Sequence, residues 1–159
     1  MAAPVAAAMA LVACQRLAEK VGERPLENDG GSLVSLHGPQ GSISRVTDSG
    51  TFQMGAGATI PDDFPKAVPI YPNAKPAFAA RSIDPRGHAT WSVQMETPDS
   101  KEQVASYYKS SMGGFTQQTA ADMGKSAMQV WQSPQVDVTL IIGGDSPKAT
   151  SISLNASSK

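Results

Sequence analysis

Apolar and polar side chains alternate most cleanly between residues 89 and 96, where Ala89, Trp91, Val93 and Met95 interleave with Thr90, Ser92, Gln94 and Glu96. A period of two predicts a strand buried on one face. Further strands are expected over 77–83, in AMQVWQ (127–132), through alternating Val136, Val138, Leu140 and Ile142, and in SISL (151–154). Gly143-Gly144-Asp145-Ser146-Pro147 reads as the turn before the last of these. Thr97-Pro98-Asp99-Ser100 opens a helix instead: Asp99 or Ser100 is placed to cap it, with Glu102 or Gln103 closing a capping box. Val104, Tyr107, Tyr108 and Met112 then recur at helical spacing, and Gly113-Gly114 stops the helix, predicted over about 99–112. Residues 115–125 read as a loop, and Trp91, Tyr107, Tyr108, Phe115 and Trp131 as core aromatics.

Upstream, the runs LVSLHG, SISRV and TFQM within 33–54 are separated by Gly38-Pro39-Gln40-Gly41 and Asp48-Ser49-Gly50, which predicts a small β-meander over 32–60. Residues 61–76 differ in kind. Pro61, Pro65, Pro69 and Pro72 fix φ and remove backbone donors, so neither helix interior nor central strand fits. An extended strap is expected, laying Phe64, Val68, Ile70 and Tyr71 against the domain. With one helix among many strands, parallel crossovers have no helices to run through, so pairing should be antiparallel. The expected fold is α+β: a mostly antiparallel sheet with one main amphipathic helix on one face, in a single domain over 32–159 with a β-α-β-β-β core over 77–155.

The amino terminus carries a different signal. Residues 2–13, AAPVAAAMALVA, form an unbroken apolar run too short, at 1.5 Å rise per residue, for a ~30 Å hydrocarbon core, and suited to the apolar region of a secretory signal. It ends in Leu11-Val12-Ala13-Cys14, which resembles the lipobox of bacterial lipoproteins. That resemblance implies a signal peptide over 1–13, cleavage after Ala13, acylation of Cys14 on its thiol and new amino group, and a solvated tether over 14–31. Met-Ala-Ala-Pro lacks the basic start usual in such signals, as a start codon placed too far downstream would explain. Gln15 after the cysteine implies the outer membrane, facing the periplasm, in a Gram-negative cell. The strap residues Pro61, Asp63, Phe64, Pro65, Lys66, Val68, Pro69, Ile70, Tyr71 and Pro72, followed by a strand and the TPDS helix, resemble uncharacterised bacterial envelope proteins that share such a strap. This second resemblance covers roughly 55–155 and implies no activity.

Composition narrows the classes. A chain of 159 residues with 40% hydrophobic and 17% charged side chains is too apolar for intrinsic disorder and of a length for one domain. Thirteen Lys and Arg against fourteen Asp and Glu give a net charge of -1, which offers no basic face for nucleic acid. Cys14 is the single cysteine, so no internal disulfide is possible.

Candidate chemistry falls away motif by motif. Ser106-Tyr107-Tyr108-Lys109 matches S-x-x-K without the partner elements of penicillin-binding enzymes. Gly124-Lys125-Ser126 lacks the upstream glycine of a phosphate loop, and Gly55-Ala56-Gly57 runs into prolines where a dinucleotide fold needs a helix. His37 and His88 are too few for a zinc site, and the methionines are scattered or core, so neither metal nor cofactor is expected. Asp63 is expected to contact a local backbone amide, and Arg81 and Arg86 to line a solvated sheet edge. No catalytic residue is nominated. A ligand groove, where one exists, is placed at Tyr71, Trp131 and Gly113-Gly114. The expectation is a membrane-attached, non-enzymatic envelope protein that binds another envelope protein or a cell-wall component. The alternative is a module that takes a small hydrophobic ligand or lipid between helix and sheet. The first requires a packed core with an exposed patch or edge, and the second a roomy apolar cavity.

Overall fold

The computed structural model describes residues 33–37, 42–143 and 149–159. The apolar run 1–13, Cys14 and the tether 14–31 lie outside the described residues, as does the turn centred on Asp145. Nine strands form one antiparallel sheet: β1 (Leu33–His37), β2 (Ser42–Thr47), β3 (Gly50–Met54), β4 (Lys75–Ile83), β5 (Ala89–Thr97), β6 (Thr116–Asp122), β7 (Ser126–Gln132), β8 (Val136–Gly143) and β9 (Thr150–Ser158). Their spatial order is β1-β2-β3-β4-β5-β9-β8-β7-β6, so the carboxy-terminal strand fills the centre between β5 and β8.

The class differs from the α+β expectation. The described chain is mostly antiparallel sheet, and its single helix, α1 (Lys101–Ser111), has 11 residues. Only Val104 and Tyr108 of α1 are buried, so the helix covers β7 and β8 and does not organise a layer of its own. The cause lies partly in 116–122, expected as loop, which pairs with β7 as the edge strand β6. Helix start and stop also shift. Ser100 is the N-cap, its hydroxyl accepting from Gln103 N–H while the Gln103 side chain accepts from Ser100 N–H. Met112 closes the helix through its N–H to Tyr108 O, two residues before Gly114 turns to φ +87°.

Register places the core. Trp91, Ala156, Val138 and Trp131 form one row across β5, β9, β8 and β7, and Val93, Leu154, Leu140 and Gln129 form the next. Met95, Ile152, Ile142 and Ala127 form a third. These side chains are buried, many completely, and α1 and the proline-rich segment lie over them. Phe64, Val68 and Tyr71 of that segment are buried in the same cluster, with Ile60 and Ile70 packed against it. Burying such side chains stabilises by about 1.5–3 kcal/mol each, so the strap is part of the core and not an ornament on it.

Candidate functional site

On the covered face, the strap is pinned at three places. The carboxylate of Asp63 accepts from Trp91 Nε1–H at 3.2 Å and pairs with the Arg81 guanidinium. This corrects the expectation of a local backbone contact: Asp63 reaches 28 residues along the chain to hold the strap on β5. It also corrects the placement of Arg81, which stands on β4 between β3 and β5, in row with Trp91. Further along, Tyr71 donates its hydroxyl to Asp99 Oδ2 at 2.8 Å, and Tyr107 donates to the Ile70 carbonyl at 3.0 Å. Burial, then the Asp99 hydrogen bond, holds the Tyr71 hydroxyl above its ordinary pKa of 10.0.

The residues nominated for a ligand groove are used up or set apart. Tyr71 and Trp131 belong to the same buried cluster. Trp131 donates Nε1–H to Gln129 Oε1 at 3.2 Å, and Gln129 in turn donates to the Ala105 carbonyl of α1 at 3.2 Å. Gly113 and Gly114 are exposed in the turn after α1, with open space where a Cβ would stand. None of these four residues lines either of the two cavities that adjoin β3. Ser106 and Lys109 are exposed on α1, Gly124 turns β6 into β7 at φ +78°, and His88 Nδ1 meets Asp84 Oδ2 at 3.1 Å in the β4–β5 hairpin. The Asp84 carboxylate is held below its ordinary pKa, chiefly by the His88 backbone N–H. Cys14 lies outside the described residues.

The opposite face of the sheet was not singled out by the sequence patterns, and it has a character of its own. Ser92, Asn155, Thr139 and Val130 form one row there, and Phe78, Gln94, Ser153, Ile141, Met128 and Ala121 the next. Thr90, Ser157 and Asp137 complete a third. All these side chains are half-buried or exposed, with Ile141 41% exposed. Cross-strand bonds knit the centre: Ser92 Oγ donates to Asn155 Oδ1 at 2.7 Å, and Thr90 and Ser157 hydroxyls meet at 3.4 Å. The centre of this face is thus a field of hydroxyls and amides, with Asp137 towards one end of its strands and Glu96 and Lys75 towards the other. Apolar groups border it at both ends: Met128 and Ile141 on one side, Phe52, Met54 and Phe78 on the other.

Two open cavities adjoin β3. One, of about 480 Å³, lies on the covered side between Thr51, Gln53, Thr59 and the Asp62–Asp63 turn of the strap. The other, of about 350 Å³, is lined by Arg45, Thr47, Ser49, Phe52 and Ser82 around Gly50. Neither opens between α1 and the sheet. No family model, curated protein or solved structure matches this chain, so its reading rests on these features alone.

Proposed function

We propose that this is a lipid-anchored protein of the bacterial cell envelope, held at the membrane by acylated Cys14, whose domain works by binding a second envelope protein and not by catalysis. The observation that carries the binding half is the asymmetry of the sheet. Helix and strap crowd one face, while the other presents Ser92, Gln94, Ser153, Asn155 and Thr139 flanked by Ile141 and Met128. A polar field with an apolar margin suits a protein partner, which can satisfy fixed hydroxyls and bury the margin together. The filled interface beneath α1, where Val104, Tyr108, Leu140 and Ile142 are fully buried, favours this reading over a ligand held between helix and sheet. The lipobox-like Leu11-Val12-Ala13-Cys14 supports the anchor, since two or three acyl chains hold a protein at a bilayer where one does not.

The test has two arms. Intact mass of the chain extracted from host membranes should equal residues 14–159 plus acyl groups, and the Cys14→Ala variant should lose that species. Photo-cross-linkers placed at Gln94, Ser153 and Thr139 should yield one common envelope-protein adduct that a linker at Lys109 on α1 does not. Adducts from Lys109 alone would move the partner to the helical face and overturn the assignment.

A further inference from the structure

Strand β6 ends the sheet, and its outer edge lacks the usual protection. Natural edges are blunted with lysine, proline, bulges or a covering segment. β6 reads TQQTAAD, without lysine or proline, and its one irregularity lies between Gln117 and Thr119, so the half that follows is regular. The Met123 N–H donates to the Ser126 carbonyl at 2.8 Å, which fixes the phase of the ladder. Met123, Ala121 and Thr119 bond to β7, and the backbone N–H and C=O groups of Ala120 and Asp122 point outward. No described strand lies beyond them. Lys101 of α1 secures the end of this edge: its Nζ donates to both Asp122 carboxylate oxygens, at 2.9 and 3.0 Å, and to the Gly124 carbonyl at 2.7 Å. On the uncovered face, Ala121 continues the row of Met128 and Ile141. Met123, two residues on, is 55% exposed, more than any other large hydrophobic side chain among the described residues.

We infer that this edge is a homodimer interface, in which β6 of a second copy adds antiparallel about a two-fold axis through Ala121. The outward groups select that register. Ala120 bonds to Asp122 of the second copy only when the two stand opposite, and the same symmetry then sets Asp122 opposite Ala120. Ala121 meets its own copy on the axis, small side chain against small side chain. Thr119 and Met123 face each other at the two ends of the segment. This self-complementarity is what names a second copy as the occupant. No like charges meet, because Asp122 stands opposite Ala120 and its own charge is compensated by Lys101. The row Ile141–Met128–Ala121 continues into its own copy, and Met123 is covered beside it. A net charge of -1 opposes association little. About four backbone hydrogen bonds over so short a segment make a small contact, typical of a reversible dimer. The dimer does not depend on the membrane anchor, although two copies held at one surface would meet at a raised local concentration.

With Cys14→Ala the full-length chain has no cysteine, so one introduced into β6 reports a single contact. Ala121→Cys in that background sets two thiols on the axis, in a pair whose Cα atoms stand about 4.5 Å apart, within disulfide reach. Thr119, on the same face and more exposed, lies about 14 Å from its copy. Mild oxidation should link Ala121→Cys chains about tenfold faster than Thr119→Cys chains, or more, and equal rates would overturn the register. Sedimentation equilibrium of the Cys14→Ala chain should show monomer–dimer exchange. Ala120→Pro removes one outward N–H and leaves the bonds of Thr119 and Ala121 to β7, so it should weaken the dimer about tenfold or more. Ala121→Lys sets like charges on the axis and should do the same, which decides the matter even where proline disturbs β6. The near-ultraviolet signal of Trp91 and Trp131 reports the fold of each chain. All of them share the apolar 1–13 run, so their differences report the edge. A chain that stays monomeric at every concentration, as it would if residues 1–31 covered the edge, overturns the inference. So does a folded Ala121→Lys chain that dimerises as tightly as its parent. Open-ended polymers would pair β6 with β1 of the next copy and overturn it as well.

Discussion

Three tyrosines stack edge to face, Tyr71 on Tyr107 at 5.0 Å and Tyr107 on Tyr108 at 5.3 Å, yet their hydroxyls are treated differently. Tyr71 and Tyr107 donate to Asp99 and the Ile70 carbonyl, whereas the fully buried Tyr108 hydroxyl has no acceptor for its proton among the described residues, only the Tyr71 backbone N–H beside its oxygen. A buried hydroxyl whose proton finds no acceptor recovers little of its desolvation cost. Tyr108→Phe should therefore keep the ring packing and leave stability within about 1 kcal/mol of the parent, or raise it, while Tyr71→Phe should cost about 1–2 kcal/mol. Urea titration at pH 7 decides both, and a large loss for Tyr108→Phe would mean that the Tyr71 N–H makes a strong hydrogen bond to the Tyr108 oxygen. The alkaline limb follows from the same burial. Both hydroxyls titrate above the usual 10.0, burial being the first cause in each, because the folded state favours the neutral phenol. Their contribution is full below pH 10 and is lost as pH rises through the raised values. Between pH 9 and 11 the parent should lose stability faster than Tyr108→Phe, and parallel curves would contradict this.

Short elements are held by single residues. The Ser100–Gln103 capping box satisfies orphan amides at the start of an 11-residue helix, so Ser100→Ala should cost about 1 kcal/mol in a urea or thermal melt. Gly50→Ala should cost more, since its Cβ meets the Arg81 carbonyl and β3 or β4 must shift. A chain in which Gly50→Ala melts with the parent would mean that the β2–β3 hairpin already sits loosely on β4. These elements also show what the sequence made legible. Strands β5, β7, β8 and β9 were readable because one face is buried and the period of two survives in Trp91–Val93–Met95 or Val138–Leu140–Ile142. The edge strand β6, TQQTAAD, has no buried face and hence no hydrophobic period, so it reads as loop. The α+β expectation failed for a related reason: four helically spaced apolar residues predict a layer, but Tyr107 is only half-buried and the strap takes the rest of the cover. The candidate site was least legible of all. Which of Ser92, Thr139, Ser153 and Asn155 share a face depends on register between residues up to 63 apart, and no local pattern encodes it.

At the scale of the whole molecule, stability should be graded along the sheet. The centre, β5, β9 and β8, supplies most of the fully buried side chains and lies beneath helix and strap. Toward the other end the burial fades. No described side chain of β2 or β3 is buried, and Val46, on the side facing the strap, is 50% exposed. Strand β3 is held by its ladders, by Gly55 N–H to the Ala77 carbonyl, and by Gln53 accepting from Thr59 N–H and Oγ1–H, the last two being exposed. Ladder hydrogen bonds without buried apolar area open locally at low free energy. Native-state hydrogen exchange should therefore find β3 amides opening at roughly 2 kcal/mol or more below those of β9, with little dependence on denaturant. The Asp63 clamp sharpens the contrast. Asp63→Ala removes the partner of both Trp91 and Arg81, so protection should fall first in the strap and β4 and only slightly in β8 and β9. Uniform protection from β3 to β9 would instead make the sheet a single cooperative unit.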